Sequence, residues 1–371
     1  MSRLRKATFS VAKGVLLYAV ALGIVAVAAI SLVGCGGGGG TTALVPGGTA
    51  ASAAWTQTGA TYVGRAKCAN CHATIDAQYQ TSEKGNGVGV GHAAHHEDRC
   101  IECHSTGFNE PSGFNLTEPG KDHLRGIGCE SCHGPGSNHI ATKGDKAQIT
   151  RTPPAKETCF ACHGGRPYKT MSEPAAVVNA DYPDLKNAGP KTTIRGPHHT
   201  GAAFLMGRNG YNMTAPMPGA HATLPNTCVD CHTQKDPNTN MADHANWSKP
   251  NLDTSRSACA SCHGGRSEAF LQAGVTEMMI KIGGTSATDP TTFDTNGKGA
   301  DGMLQKYYDA KQIGTFWVDG AQLTEAQQAI VNNYKGAMWN FKYVYGDHSL
   351  GVHNPGFTKQ LLKDCETMLK L

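Results

Sequence analysis

The sequence predicts a mainly α fold with extensive coil and little β, assembled around something other than an aliphatic polypeptide core. Three observations predict it. Leu, Ile, Val and Phe make up only about 14% of residues 35–371, under the roughly 20% that an ordinary core requires. A Cys-x-x-Cys-His pentapeptide recurs six times and consumes twelve of the 14 cysteines. Helical periodicity becomes regular only beyond residue 322.

Residues 1–34 read as a secretory leader: a basic start (Arg3, Arg5, Lys6, Lys13) and then an apolar run from Val15 to Val33. Leu32-Val33-Gly34-Cys35 resembles a bacterial lipobox, which makes Cys35 the expected lipidated residue; the rival reading is an uncleaved membrane span. Both place the folded part on the oxidising side of the membrane. The leader contains no acid, so the formal charge of +4 belongs to it and the remainder is balanced. A neutral chain without basic runs offers no footprint for nucleic acid. Residues 35–60, opening on a glycine run, read as a lipid-anchored flexible tether.

The six pentapeptides are Cys68/Cys71/His72, Cys100/Cys103/His104, Cys129/Cys132/His133, Cys159/Cys162/His163, Cys228/Cys231/His232 and Cys259/Cys262/His263. Two thiols three positions apart reach the two vinyl-derived carbons of one haem edge, and the next residue's imidazole then sits beneath the iron. Each motif is therefore expected to attach haem c covalently, with His72, His104, His133, His163, His232 and His263 as proximal ligands. Structural zinc would pair such motifs 15 to 20 residues apart and has no need of the adjoining histidine. Here the gaps are 32, 29, 30, 69 and 31. A disulfide framework fits no better, because Cys-x-x-Cys bridges are strained and reducible. Six porphyrins would supply the missing apolar surface.

Eleven further histidines can serve six distal positions: His92, His95, His96, His123, His139, His198, His199, His221, His244, His348 and His353. Full bis-His ligation gives closed, low-potential centres suited to electron transfer. A methionine could replace one of them, with Met206, Met213, Met217 and Met241 as candidates.

The stretches YVGRAKCANCH, CIECHSTGF and GIGCESCHGPGSNH between Tyr62 and His139 resemble the multihaem c-type cytochromes. That superfamily contains the tetrahaem electron acceptor of hydroxylamine oxidoreductase, pentahaem nitrite reductase and outer-surface cytochromes of metal-reducing bacteria. HATLPNTCVDCH, DHANWSKPNLDTSRSACASCH and DHSLGVHNPGFTKQLL extend the resemblance into the C-terminal half. It implies that the histidine after CHGPGS (His139), those preceding attachment motifs (His221, His244) and that of the GVHN segment (His353) are distal ligands. One of His198/His199, with His199 favoured, and one of the His92/His95/His96 cluster, with His96 favoured and His92 close behind, complete the expected set. His123 and His348 are expected to be solvated or to orient other groups.

The expected organisation is an N-terminal module carrying haems 1–4 (61–165), a connecting, ligand-donating segment with haems 5 and 6 (166–265), and a C-terminal helical region (266–371). In the last, residues 323–344 have helical apolar spacing with Thr324 as N-cap, and 357–371 place Leu361, Leu362, Cys365, Met368 and Leu369 on one face. Cys365 is expected to be a buried core thiol, and Gly351–Pro355 to bring His353 back over a haem. The resemblance implies an electron-transfer hexahaem cytochrome of the cell envelope, working with redox partner proteins and passing electrons toward outer acceptors, with assembly into a homo-oligomer or filament as a further form. The alternative is a reductase of nitrite, hydroxylamine or a sulfur oxyanion with one open iron. Pentahaem nitrite reductases usually mark that iron with Cys-x-x-Cys-Lys, and no such motif occurs.

Overall fold

The computed structural model describes residues 59–82, 98–108, 110–149, 156–165, 177–188, 201–224, 227–233, 268–286, 289–293, 301–317 and 322–371, with positions 84, 85, 194, 197, 200, 244 and 263. The leader, Cys35 and nearly all of the expected tether lie outside them. Among the described residues no helix is long and apolar enough to cross a membrane. The expected mainly α architecture holds: among these residues the one sheet is a two-stranded antiparallel pair, β1 (Thr285–Ser286) with β2 (Asp289–Phe293).

The N-terminal part is built from short helices: α1 (Arg65–Ala69), α2 (Ala73–Thr81), α3 (Asp98–His104), α4 (Cys129–His133), α5 (Ser137–Ala141) and α6 (Lys156–His163). Helical geometry at the attachment motifs has a simple cause. Residues i, i+3 and i+4 share one helix face, so a single turn presents both cysteines and the histidine to the same side. The turn then stops at glycine: Gly134 closes α4 at φ 81, a backbone region that side chains oppose, and its N–H bonds the Glu130 carbonyl at 2.9 Å. The apolar cluster here is small, comprising Tyr62, Ile101, Phe114 and Leu124, with Phe108 packed against it.

The connecting part contributes α7 (Pro183–Lys186), α8 (Gly201–Leu205) and α9 (Thr227–His232); the C-terminal part contributes α10 (Glu268–Gly283), α11 (Met303–Ala310), α12 (Ile313–Phe316), α13 (Glu325–Gly346) and α14 (Pro355–Met368). α13 starts as its sequence dictates. Thr324 and Gln327 form a reciprocal capping box, with the Thr324 Oγ accepting from Gln327 N at 3.3 Å. α13 and α14 pack along each other, and α10 and α11 close the bundle.

The C-terminal part departs from the expectation that no polypeptide core forms. Trp339, Phe341, Tyr343, Phe357, Leu361, Met279 and Cys365 belong to one large buried cluster. Phe204 of α8 meets Tyr343 and Phe357 edge-on, each at 5.0 Å, a geometry worth about 0.5–1.5 kcal/mol per pair beyond burial. Leu, Ile, Val and Phe content averaged over the chain hid this core, because the residues that build it are concentrated in one region, mostly beyond residue 274.

Polar stitches fasten the connecting segment to α13. Trp339 Nε1 donates to the Asn209 carbonyl (2.8 Å), Tyr211 N donates to Asn340 Oδ1 (2.8 Å), and the buried Lys335 Nζ donates to the Leu185 carbonyl (2.7 Å). Burial holds the Lys335 ammonium below the usual lysine pKa, and the Trp317 ring lies 5.2 Å beneath it. Gly336 admits this approach, since any Cβ there would run into the Tyr211 ring.

Candidate haem-binding sites

Four proximal histidines each face one of the histidines expected to be distal. Ring centroids are 6.2 Å apart for His72 and His139, 6.5 Å for His133 and His244, 6.0 Å for His263 and His221, and 6.1 Å for His232 and His353. These are too far apart for ring contact. They fit two imidazoles on opposite sides of one metal, for which a bond of about 2.0 Å and a nitrogen-to-centroid distance of about 1.1 Å give roughly 6.2 Å. In every case the partner comes from another stretch of chain than the motif it faces.

The far nitrogens are held. His139 Nδ1 bonds the Asp145 carbonyl at 2.9 Å, His221 Nδ1 the Val352 carbonyl at 2.8 Å, and His353 Nδ1 the Asp347 carboxylate at 2.7 Å. Each bond fixes the ring plane and leaves Nε2 available on the opposite edge, as metal-ligating imidazoles require. Burial opposes charge on His353, and the Asp347 carboxylate more than offsets it, raising the imidazole pKa. Asn354, next in sequence, caps α14 by accepting from Phe357 N at 3.1 Å, and its amide donates to the Met217 carbonyl at 2.8 Å.

The cysteines expected to carry haem must be reachable by an incoming porphyrin. Cys71 is exposed and Cys132 and Cys231 are half-buried, as are their motif partners Cys68, Cys129 and Cys228. Cys103 and Cys159 are half-buried and Cys162 is exposed, whereas Cys365 is fully buried. All of these are thiols rather than halves of disulfides. Local backbone differs slightly between motifs. Cys132 lies within α4 and Cys231 within α9, whereas Cys71 falls just past the end of α1. There His72 N still donates to the Cys68 carbonyl at 3.0 Å, which keeps Cys71 and His72 on the same turn as Cys68.

The motifs sit in neighbouring pairs. Cys68 of the first hydrogen-bonds Cys129 of the third, which holds the Cys68 thiol well above its usual pKa; Cys162 of the fourth is raised in the same way by Cys103 of the second. Glu130, inside the third motif and 3% exposed, ties the first pair together. Its carboxylate accepts from Val63 N (3.0 Å), Gly64 N (2.7 Å) and Gly136 N (2.8 Å). Tyr79, whose pKa burial raises, donates to the Ile127 carbonyl at 2.5 Å alongside. Glu130→Gln keeps one acceptor but turns an NH2 toward these donors and removes the charge. It is expected to cost about 1–2 kcal/mol, measured as an earlier denaturant midpoint of the Soret band.

A polar recess adjoins the fourth motif. Asn209 Nδ2 and Oδ1 and Thr200 Oγ1 are buried without a hydrogen-bond partner among the described residues. Both residues crowd Gly165, where a Cβ would come within 3.3 Å of Asn209 Nδ2 and of Thr200 Cγ2. Orphaned donors beside an attachment motif fit the acidic edge of a haem, so the donor set, the ring gaps and this recess all suit the cofactor.

Other expected residues fall elsewhere. His92, His95, His96, His198, His199, Cys259, Cys262 and Met241 lie outside the described residues; the first five include two of the six expected distal ligands. His123 is exposed with Nδ1 on the Gly120 carbonyl (3.0 Å), and His348 is exposed beside Tyr345. Met206 packs with Phe160, and Met213 against the large C-terminal cluster. Cys365 donates to the Ala337 carbonyl at 3.3 Å and has its pKa raised by burial. Sequence reasoning missed Asp347, Glu130 and Asn354. The only signals were a carboxylate six positions before His353, an acid inside an attachment motif, and an Asn-Pro pair at a helix start.

Comparison with known proteins matches residues 210–369 to the cytochrome c552 family and residues 67–134 to the cytochrome c554 and c-prime family. Cytochrome c-554 of Nitrosomonas europaea is 30% identical over 154 residues, covering 31% of this chain and 64% of that protein. The C-type polyheme cytochrome OmcB of Geobacter sulfurreducens is 24% identical over 204 residues, covering 48% of this chain and 26% of that protein. The chain thus spans less than two thirds of the curated relatives it matches. Among solved structures, the outer cell wall cytochrome OcwA aligns with TM-score 0.45 and 20% identity over 79% of this chain and 50% of that one. An undecaheme cytochrome from the S-layer of Carboxydothermus ferrireducens aligns with TM-score 0.41 and 20% identity over 82% and 45%.

Proposed function

Because the chain belongs to the multihaem c-type cytochromes, which bind haem c covalently and transfer electrons, we propose that it is a hexahaem electron relay of the bacterial cell envelope. One haem is carried on each of the six cysteine pairs. His72 and His139, His133 and His244, His263 and His221, and His232 and His353 ligate four irons; His104 and His163 take their second ligands from the His92/His95/His96 cluster and from His198 or His199. Lipid on Cys35 holds the protein to the membrane, the segment after it acts as the tether, and redox partner proteins feed electrons through it toward extracellular acceptors. The haem modules (61–165 and 166–265) and the C-terminal helical region (266–371) divide the work into carrying the cofactors and clamping them.

The facing imidazole pairs at 6.0–6.5 Å carry this reading. Bound haem supplies reversible one-electron chemistry at its iron. The protein's part would be to hold each iron between two imidazoles, so that no exogenous molecule enters, with the rings of His139, His221 and His353 locked through their far nitrogens. A reductase would leave one iron open. Carbon monoxide added to the dithionite-reduced holoprotein is therefore expected to leave the Soret and α bands unchanged; binding of one equivalent would overturn the relay in favour of the reductase.

A further inference from the structure

We propose that Asp347 is a positioning residue that makes the haem held between His232 and His353 the lowest in potential of those with described distal contacts. The inference deepens the ligand reading above and rests on it. The three distal imidazoles with described Nδ1 partners differ in one respect. His139 and His221 donate to neutral backbone carbonyls, at 2.9 and 2.8 Å, whereas His353 donates to a carboxylate at 2.7 Å. A charge-assisted bond is roughly twice as strong as a neutral one. It pushes electron density through the ring to Nε2, where it favours Fe(III) over Fe(II) in the one-electron couple.

The charge of Asp347 is not dissipated. Its side chain is 0% exposed, so solvent and salt screen it little, and among the described residues no lysine or arginine pairs with it. Its other oxygen accepts from Ser349 Oγ, which in turn accepts from His353 N at 3.2 Å. This triangle fixes a loop that would not otherwise choose its shape: His348 (φ 57) and Leu350 (φ 47) are both left-handed without being glycine, and Gly351 (φ 96) follows. Across the loop Gly201 makes room, since a Cβ there would come within 3.2 Å of His353 Cε1. Backbone strain is thus retained around one carboxylate–imidazole pair.

Potentiometric titration of the holoprotein, followed optically and by EPR, tests this. Asp347→Asn keeps an acceptor for Nδ1–H and removes the charge. One titrating component is expected to rise until its oxidised-to-reduced ratio at fixed potential falls about tenfold, about 59 mV for one electron, with the rest unmoved. Ser349→Ala withdraws a donor from the carboxylate and is expected to move the same component the opposite way. His353→Ala reports on the ligand reading by itself: it should convert one low-spin haem to high spin, and an unchanged low-spin count would overturn that assignment. If His353→Ala does remove a low-spin haem while Asp347→Asn leaves every midpoint in place, the role of Asp347 is overturned. Should Asp347→Asn fail to mature, Ser349→Ala decides: a downward shift supports the proposal, and no shift or an upward one overturns it.

Discussion

A full-length chain with alanine at the twelve cysteines of the six Cys-x-x-Cys-His motifs is expected to lose ordered structure across residues 61–165 while α13 and α14 stay folded. The two regions are stabilised by different things. In the N-terminal part the described helices are 5 to 9 residues long, and isolated helices shorter than about 12–15 residues are marginal in water. Four residues, Tyr62, Ile101, Phe114 and Leu124, form its buried apolar cluster, far from enough to offset about 1–2 kcal/mol of backbone entropy per ordered residue. In the proposed relay, covalent haem supplies the apolar surface there, and each pair of thioether links restricts the unfolded chain. The 22-residue α13 and 14-residue α14 instead pack on a core of Trp339, Tyr343, Phe357 and Leu361 that needs no cofactor contact. Hydrogen exchange read by mass spectrometry checks this. Fast exchange through 61–165 with protection retained in 325–346 and 355–368 is expected, and equal protection in both regions would refute the division.

The same contrast explains what the sequence made legible. The start of α13 could be read from Thr324 and Gln327 because a capping box is a local pattern, satisfied within one turn. The shared face of each attachment motif was equally local. Which imidazole faces which motif was not, because His139, His244, His221 and His353 each cross to a turn contributed by another part of the chain, and no local period encodes that crossing. His221 illustrates the point. It lies a few residues before Cys228 yet faces His263 of the next motif. The C-terminal core was hidden for another reason: its Leu, Ile, Val and Phe, such as Leu304, Phe341, Phe357 and Leu361, are concentrated in one region, and a count averaged over the whole chain dilutes them. Asp347, which orients His353, and Glu130, which ties two motifs together, were weakly marked, since a carboxylate reads as a solvated charge until its burial is known.

Replacing Asn354 is expected to have the largest effect of any single substitution outside the haem attachments. The side chain is 2% exposed and joins three elements. Its amide faces the carbonyls of Leu205 (3.2 Å) and Met217 (2.8 Å), with that of Phe204 at 3.4 Å, while its oxygen caps α14 at Phe357 N. Asn354→Ala loses the cap, about 1 kcal/mol, and leaves the Met217 carbonyl without its donor, about 1–3 kcal/mol more, in a site that Gly219 has shaped to the amide, while the Phe204 and Leu205 carbonyls keep the N–H groups of Gly207 and Gly219. A total of about 2–4 kcal/mol should appear as an earlier denaturant midpoint. Because His353 precedes Asn354 directly, the low-spin signal of the haem proposed to lie between His232 and His353 should fade ahead of the others. Asn354→Asp separates the two contributions. It preserves the cap oxygen and, at a helix N-terminus, would improve an exposed cap. Here it also aims an anion at three carbonyls in a buried site, so it should destabilise more than alanine does. An Asn354→Asp protein as stable as the parent would show that capping alone accounts for this residue, and that the carbonyl contacts linking α8 to the start of α14 contribute nothing to holding His353 in place.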